Sequence, residues 1–468
     1  MTVGEYAVPA HVAKHLASMG YALDRGMDPF IAEWWAWYTG DDPWHKVEYT
    51  TQQGLRRSRD RLSLHPARRV CREWASLLLN EDTEVSCEAP DANAWLHAHL
   101  DRCNFWPTGQ ALVEKAFALG TGAWALSFDV GEDATAMKVR TYDARMVLPL
   151  SWDVDGVTEC AFATRIMERG RPADQLQMHV LEGGRYVIRT ALFVDGRPEP
   201  PERFGLLDEF DTGSPFPTFA IVRPGIENVR ADVSPYGMSV FADAVDACKA
   251  VDLAYDALFQ EIDLTEVMVF MDEAMIDVRT RDGKAVPVPR GPRNRIFRKL
   301  AGRSANEMYE VFSPQIRTEP IRAGLDVALA ELGDQCGFGQ QYFQLDKAGG
   351  LKTATEVGAD NAALMRSICK HERVLRGAIQ DIASSMLWCA REHCGVPIEQ
   401  DVGAVSVTFD DSIVTDTQTD KNQMLAEIAA GVAQPWEYRV RFMGESEEQA
   451  RANAPQQPGA DPFGAMGY

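Results

Sequence analysis

The 468-residue chain has no apolar run approaching the 18 residues that a membrane-spanning helix needs, so no contact with a membrane interior is expected. Residues Met1 to Ala10 carry neither a basic cluster nor an apolar stretch, so no secretory signal is expected there. Positive charge is scarce. Lys and Arg number 47 against 69 Asp and Glu, a net charge of −22. Proteins that grip nucleic acid with their whole surface neutralise phosphates with Lys and Arg, and this balance excludes that mode. It leaves open DNA that slides past without sticking, and it leaves open plain solubility. Cysteines are few, odd in number (nine) and scattered, which fits reduced thiols in a bacterial cytoplasm rather than a disulfide framework. No internal repeat has the period of a solenoid or propeller.

Motifs of common chemistries are missing too. No G-x-x-x-x-G-K-[ST] phosphate loop occurs. Gly120-Thr121-Gly122 lacks the continuation of a dinucleotide fingerprint and follows a predicted helix, not a strand. Gly349-Gly350-Leu351-Lys352-Thr353 reads as an ordinary entry into a helix. No G-x-S-x-G elbow accompanies the Ser, His and Asp present. His97 and His99 diverge on a helix. Cys389, His393 and Cys394 lack a second ligand pair at zinc spacing. The acidic run Asp410, Asp411, Asp416 and Asp420 lacks the glycine of a calcium loop and reads as a solvated turn. We therefore expect no catalytic residues, no cofactor and no resident metal.

What is present is a normal globular balance, 46% hydrophobic and 25% charged, long enough for several domains. Residues 1–60 are aromatic-rich and irregular, with Trp34, Trp35, Trp37 and Tyr38 clustered ahead of Gly40. Helical spacing then predicts helices over 66–80, 91–101 and 109–119, the last closed by Gly120. Short segments at 136–141, 158–165, 185–194 and 217–222, separated by Gly, Asp and Pro, predict a mostly antiparallel sheet. The fold class is thus α+β. A strong helix is predicted over 239–263, then short strands near 267–270 and 274–278, then a helix over 320–335. Between the two helices, 279–303 carries nine basic residues and one acid, a local reversal of the chain's charge. The stretch 337–352 is a glycine-punctuated loop. Thr353 and Glu356 have the spacing of a capping box, opening a helix that runs to Gly395 and Pro397. Forty residues of helix reach about 60 Å, a length suited to a large assembly. A strand at 404–409, a helix over 417–431, another near 445–453, and a Pro- and Gln-rich tail from Ala454 complete the reading.

This order of helix, small basic unit, helix, glycine-punctuated loop and long capped helix resembles the portal proteins of tailed bacteriophages, of the long-tailed siphophage type. The stretch Val70 to Glu81 is similar to that family's early helix, and Ala118-Leu119-Gly120-Thr121-Gly122-Ala123 to the turn into its sheet. Thr353-Ala354-Thr355-Glu356-Val357 is similar to the start of its long wing helix, and Gly431 through Arg451 to its closing helices. The likeness covers roughly residues 30–453. No single motif is diagnostic; order and spacing carry it.

The resemblance implies a wing (1–238), a stem helix (239–263), a clip (264–317), a second stem helix (318–336), a tunnel loop (337–352), a wing helix and strand (353–412), a crown (413–453) and a disordered tail (454–468). It implies a homo-oligomeric ring, usually of twelve copies, at one capsid vertex of the virion, assembled in the host cytoplasm. Double-stranded DNA would be packaged through it by the terminase large subunit and later ejected, and head-completion or adaptor proteins and the major capsid and scaffolding proteins would be neighbours. Asp243, Asp246, Asp252, Asp256 and Asp263 are then candidates to line the channel with repulsive charge, or to pair between subunits. In the tunnel loop, Gln340, Gln341, Tyr342, Phe343, Gln344, Lys347 and Lys352 either touch DNA or, for the two aromatics, pack between subunits. In the clip, Arg293, Arg295, Arg298 and Lys299 are candidates to bind acidic partners, or are solvated charge. A cytoplasmic scaffold or adaptor built on a long helix, and a nucleic-acid-processing enzyme, are the alternatives.

Overall fold

A computed structural model describes residues 8–50, 54–80, 82–130, 135–168, 170–265, 268–272, 278–281, 284–287, 296–299, 309–345, 354–398, 404–409, 424–428, 433–443 and 447–453; for those of them within 268–312 and 354–361, and at 130, 135, 168, 264, 447, 448 and 452, the backbone alone is described. In chain order the helices are α1 (Ala10–Ser18), α2 (Asp28–Thr39), α3 (Pro66–Leu78), α4 (Pro90–Arg102), α5 (Phe105–Leu119), α6 (Val245–Leu264), α7 (Thr318–Gln335), α8 (Ala354–His393), α9 (Pro435–Met443) and α10 (Glu447–Asn453). A hairpin pairs β1 (Lys46–Thr50) with β2 (Arg56–Asp60), and β3 (Glu84–Ser86) pairs with β18 (Ser406–Thr408). One antiparallel sheet joins β6 (Val147–Trp152), β7 (Val157–Glu168), β8 (Arg171–Glu182), β9 (Arg185–Val194) and β10 (Arg197–Glu199), with β11 (Glu209–Asp211) also on β9. A second sets β4 (Gly122–Val130) between β5 (Thr135–Asp143) and β12 (Phe219–Val222). The molecule is mixed helix and antiparallel sheet, as α+β requires.

The helices follow their apolar spacing. On α3, Val70, Cys71, Trp74, Ala75 and Leu78 form one buried stripe. Its entry suits the sequence, because Pro66 occupies the first turn, where its missing N–H costs nothing. The main core gathers α2, α3, α5, α6, α7 and α8 around Trp34, Trp74, Phe117, Phe241 and Ile382. The forty residues of α8 are helical throughout, including Gly377, and bury Ile368, Leu375, Ile379, Ile382 and Met386 against this core.

Several expectations change. Residues 1–60 are not irregular: they hold α1, α2 and the hairpin. The helix expected over 239–263 begins at Val245, because 239–244 form a turn that drives Phe241 into the core. The third predicted helix starts earlier, at Phe105. Of the expected 417–431 helix, 424–428 is helical and the rest lies outside the described residues, as do the acidic run from Asp410 and the tail from 454.

The turn into the sheet shows why glycines stand there. Gly120 ends α5 with φ +82°, in the left-handed region. A Cβ on Gly120 would lie 2.4 Å from the Gly237 carbonyl oxygen, and one on Gly237 would lie 2.4 Å from that of Gly120. The Gly237 N–H also donates to Thr121 Oγ1 at 3.0 Å. Two backbones therefore touch where the chain turns toward α6. Gly237→Ala should cost about 1–3 kcal/mol by overpacking and lower the melting temperature. Gly377→Ala, whose Cβ would meet open space on α8, should leave the melting temperature unchanged or raise it.

Candidate functional site

The two predicted stem helices lie side by side. The chain leaves α6 at Leu264 and re-enters α7 at Thr318. Glu261, one turn before the end of α6, joins the two ends. Arg317 Nε and Nη2 donate to its two carboxylate oxygens at 3.0 and 2.9 Å, and the Arg317 backbone N–H adds a third bond at 3.1 Å. These bonds hold the Glu261 carboxyl below the usual carboxylate range. The pair is therefore antiparallel, pinned where the intervening segment departs and returns. That segment contains β13 (Met268–Asp272), parallel to β16 (Ile296–Lys299) and antiparallel to β17 (Tyr309–Phe312), and a hairpin of β14 (Val278–Arg281) and β15 (Lys284–Pro287).

The five acidic candidates separate into two groups. Asp243, Asp246 and Asp263 are exposed; Asp243 meets Arg230 at 3.2 Å and Asp246 meets Lys249 at 2.8 Å. Asp243 precedes α6 rather than lying on it. Asp252 and Asp256 are buried, so neither faces a passage. Asp252 accepts from Ser63 Oγ at 2.7 Å and the Leu64 N–H at 2.8 Å, and meets His45 Nε2 at 2.9 Å. The other ring nitrogen of His45 faces Asp42 at 2.5 Å. Asp256 takes a two-pronged bond from Arg59 at 2.9 and 2.8 Å and one from the Leu62 N–H at 3.2 Å. Burial pushes the Asp256 carboxyl up, but the Arg59 guanidinium and the Leu62 N–H outweigh it and leave it below its ordinary value. A buried carboxylate needs such partners, and these come from His45, the strand β2 and the loop after it, roughly two hundred positions away.

The loop after α7 is also rooted inward. Phe343 is buried against Phe338, and the Arg69 guanidinium lies 4.9 Å from its ring centroid. The Tyr342 hydroxyl donates to Glu73 Oε2 at 2.9 Å; burial and this carboxylate raise its pKa. The two aromatics thus pack on α3 of the same chain. Phe343 is buried there and Tyr342 half-buried. Gln340 and Gln341 remain exposed and Gln344 is half-buried. Lys347 and Lys352 lie outside the described residues. At the root, Trp74 Nε1 donates to the Cys336 carbonyl at 3.2 Å, and the Trp74 ring packs on Phe338 at 4.4 Å and His371 at 4.6 Å. Of the basic candidates, Arg298 and Lys299 lie on β16, in register with Met271 and Asp272; Arg293 and Arg295 lie outside the described residues.

Of the remaining titratable groups, His99, Arg102, Cys103 and Cys394 line one cavity, while His393 and Cys389 have separate surroundings. His393 meets the Thr212 carbonyl at 2.8 Å and Cys389 is buried. His99 stacks on Trp95 beside Arg102 and Cys103. Burial, with Arg102 nearby, pushes its pKa down to about 4. Among the described residues, no three His, Cys, Asp or Glu side chains are placed to hold a metal ion. No described helix is long and apolar enough to cross a membrane.

Reading the sequence missed the carboxylate clasp on α6. The signal was there in two parts: the run Arg56-Arg57-Ser58-Arg59, and the i, i+4 pair Asp252 and Asp256 on one side of the helix.

No protein-family model and no curated protein matches the chain. Among solved structures, it is similar to a chain of the virion of a native gene transfer agent particle, at 13% identity and TM-score 0.42, over 80% of this chain and 89% of that one. A chain from the neck of a native gene transfer agent particle, computed with C12 symmetry, gives 13% identity and TM-score 0.39 over the same shares.

Proposed function

We propose that the chain is a portal subunit, one member of a homo-oligomeric ring at a capsid vertex through which double-stranded DNA is packaged and later ejected. The observation that carries this reading is the antiparallel pair α6–α7, locked by Glu261 and Arg317, bracketing a small strand-built unit. That arrangement suits a stem with a clip at its end. Uncovered apolar side chains on the pair support it: Leu253, Phe259 and Ile262 on α6 and Val327 on α7 are all exposed in the single chain. Exposed apolar surface of this kind marks an interaction site, and neighbouring copies packed around an axis would cover it.

The charge suits a conduit. Duplex DNA carries one negative charge per about 1.7 Å, so a basic lining would hold it fast. Asp243, Asp246 and Asp263, together with the neutral Gln340, Gln341 and Gln344, would leave the duplex free to slide. The basic segment 279–303 would meet the terminase large subunit during packaging and head-completion proteins afterwards. Negative-stain imaging of the purified chain should show rings with an open centre; globular monomers would refute the reading. Arg298→Glu with Lys299→Glu should leave the rings intact and weaken their binding to the terminase large subunit. Unchanged binding would remove the clip from that role.

A further inference from the structure

The hairpin β1–β2 has no obvious use within its own chain. It is a two-stranded sheet that pairs with no third strand among the described residues, and eight of its ten strand residues are exposed. Such hairpins are marginal in water unless something packs on them. Yet its base is rigidly held: Arg59, Leu62, Ser63 and Leu64 all bond to the buried carboxylates of Asp252 and Asp256 on α6. A fixed base with an uncovered body is the arrangement of an arm aimed at a partner. Its chemistry is basic with an apolar element. Arg56 and Arg57 are exposed and meet no carboxylate among the described residues, and Tyr49, paired across the strands with Arg57, is 49% exposed.

A complementary surface lies elsewhere on the molecule. On α7, Gly324, Val327, Glu331 and Asp334 recur at helical spacing on one exposed side, opposite the buried Leu325, Ala328, Leu329 and Leu332. Val327 is 71% exposed, and a Cβ on Gly324 would meet nothing, so the face is shallow and open. It offers an apolar centre beside two carboxylates, the converse of the hairpin. The hairpin cannot use this face in its own chain. At about 100° per residue, Glu261, which meets the start of α7, stands roughly 140–180° around α6 from Asp256 and Asp252, which hold the hairpin. Arm and acidic stripe therefore lie on opposite flanks of the stem.

We propose that the β1–β2 hairpin docks on the α7 stripe of a second copy of this chain, with Tyr49 against Val327 and with Arg57, on the same face as Tyr49, facing Glu331 and Asp334, while Arg56 on the other face adds to the arm's positive charge. The occupant follows from charge: a chain of net charge −22 presents one basic arm and, on its other flank, an acidic face of matching make-up. Because the two surfaces differ and lie on opposite flanks, the contact is head-to-tail and propagates from copy to copy until it closes. The inference rests on the ring reading and adds which surfaces meet.

Charge reversal tests it. Arg56→Glu with Arg57→Glu, and separately Glu331→Arg with Asp334→Arg, should each lose the ring in native mass spectrometry and run as monomers, with melting temperatures like that of the parent. Both reversals in one chain should restore rings. An equal mixture of the two singly reversed chains should also restore them, alternating, because each reversed hairpin then meets a reversed stripe. Rings that persist in either variant alone overturn the hairpin contact while leaving the portal reading standing. Rings lost in both variants and recovered in neither the combined chain nor the mixture overturn it as well. A hairpin variant that keeps its rings but loses affinity for duplex DNA would assign the arm to nucleic acid instead. A parent chain that stays monomeric overturns both the inference and the reading beneath it.

Discussion

Trp74→Ala is expected to destabilise the folded chain by about 3–5 kcal/mol, the cost of emptying a large aromatic site that cannot collapse. Trp74 is fully buried, and its ring meets Phe117 from α5, Phe338 after α7 and His371 from α8. Its indole N–H caps the Cys336 carbonyl at the end of α7, where the loop bearing Gln340 and Gln341 begins. One side chain thus joins α3, α5, the end of α7 and α8. Trp74→Phe keeps most of the packing but leaves that carbonyl without its donor, and should cost about 1–3 kcal/mol. Urea unfolding of the three proteins should rank them parent, Phe, Ala. Equal stability of Ala and parent would mean that Trp74 does not unite these parts. Protease cleavage within 337–352 should quicken in the Ala variant before global unfolding, because the loop loses its root.

Stability should also fall as pH drops from 6.5 to 5.5, by roughly 1 kcal/mol for each of three buried histidines and about 3 kcal/mol together. Burial pushes the pKa of His179 down to about 3. Burial, with Lys370 adding a smaller effect, does the same for His371 to about 3. His99 lies at about 4. In each case the folded state resists the proton that the unfolded chain takes up near pH 6.5. The stabilising contribution is therefore complete above that pH and is lost as pH falls toward 3–4. The geometry agrees, because His371 Nδ1 accepts from the Gly225 N–H at 2.9 Å and must be unprotonated to do so. Asp256 and Glu261, held below their ordinary values, add a separate loss that begins below about pH 4.5, where the unfolded carboxylates protonate. Denaturant melts at half-unit pH steps should show two stages. A flat profile between 6.5 and 5.5 would contradict the burial of these imidazoles.

The long one-sided helices were legible because their apolar residues recur at 3.6: α3, α4, α7 and α8 fall within a few residues of expectation. The first sixty residues were not. In α2, Trp34, Trp35, Trp37 and Tyr38 spread aromatics over nearly half the circumference, so no narrow stripe stands out. In the hairpin only the five residues of β1 alternate polar with apolar, and β2 is charged at four of its five positions, so the pair lacks the pattern of two half-buried strands. The acidic residues of the stem helix were visible as a group. Their division was not, because what buries Asp252 and Asp256 is a clasp of residues from far earlier in the chain. Tyr342 and Phe343 stood in a glycine-punctuated loop, where sequence favours exposure; their docking on α3 is a long-range fact with no local mark.

Particle mass in solution decides whether α6 and α7 line a passage built from many copies. Mass photometry of the purified chain should show a closed species near twelve times the 52.0 kDa subunit, without a ladder of open oligomers. A single population at 52.0 kDa, unchanged at rising protein concentration, would contradict it.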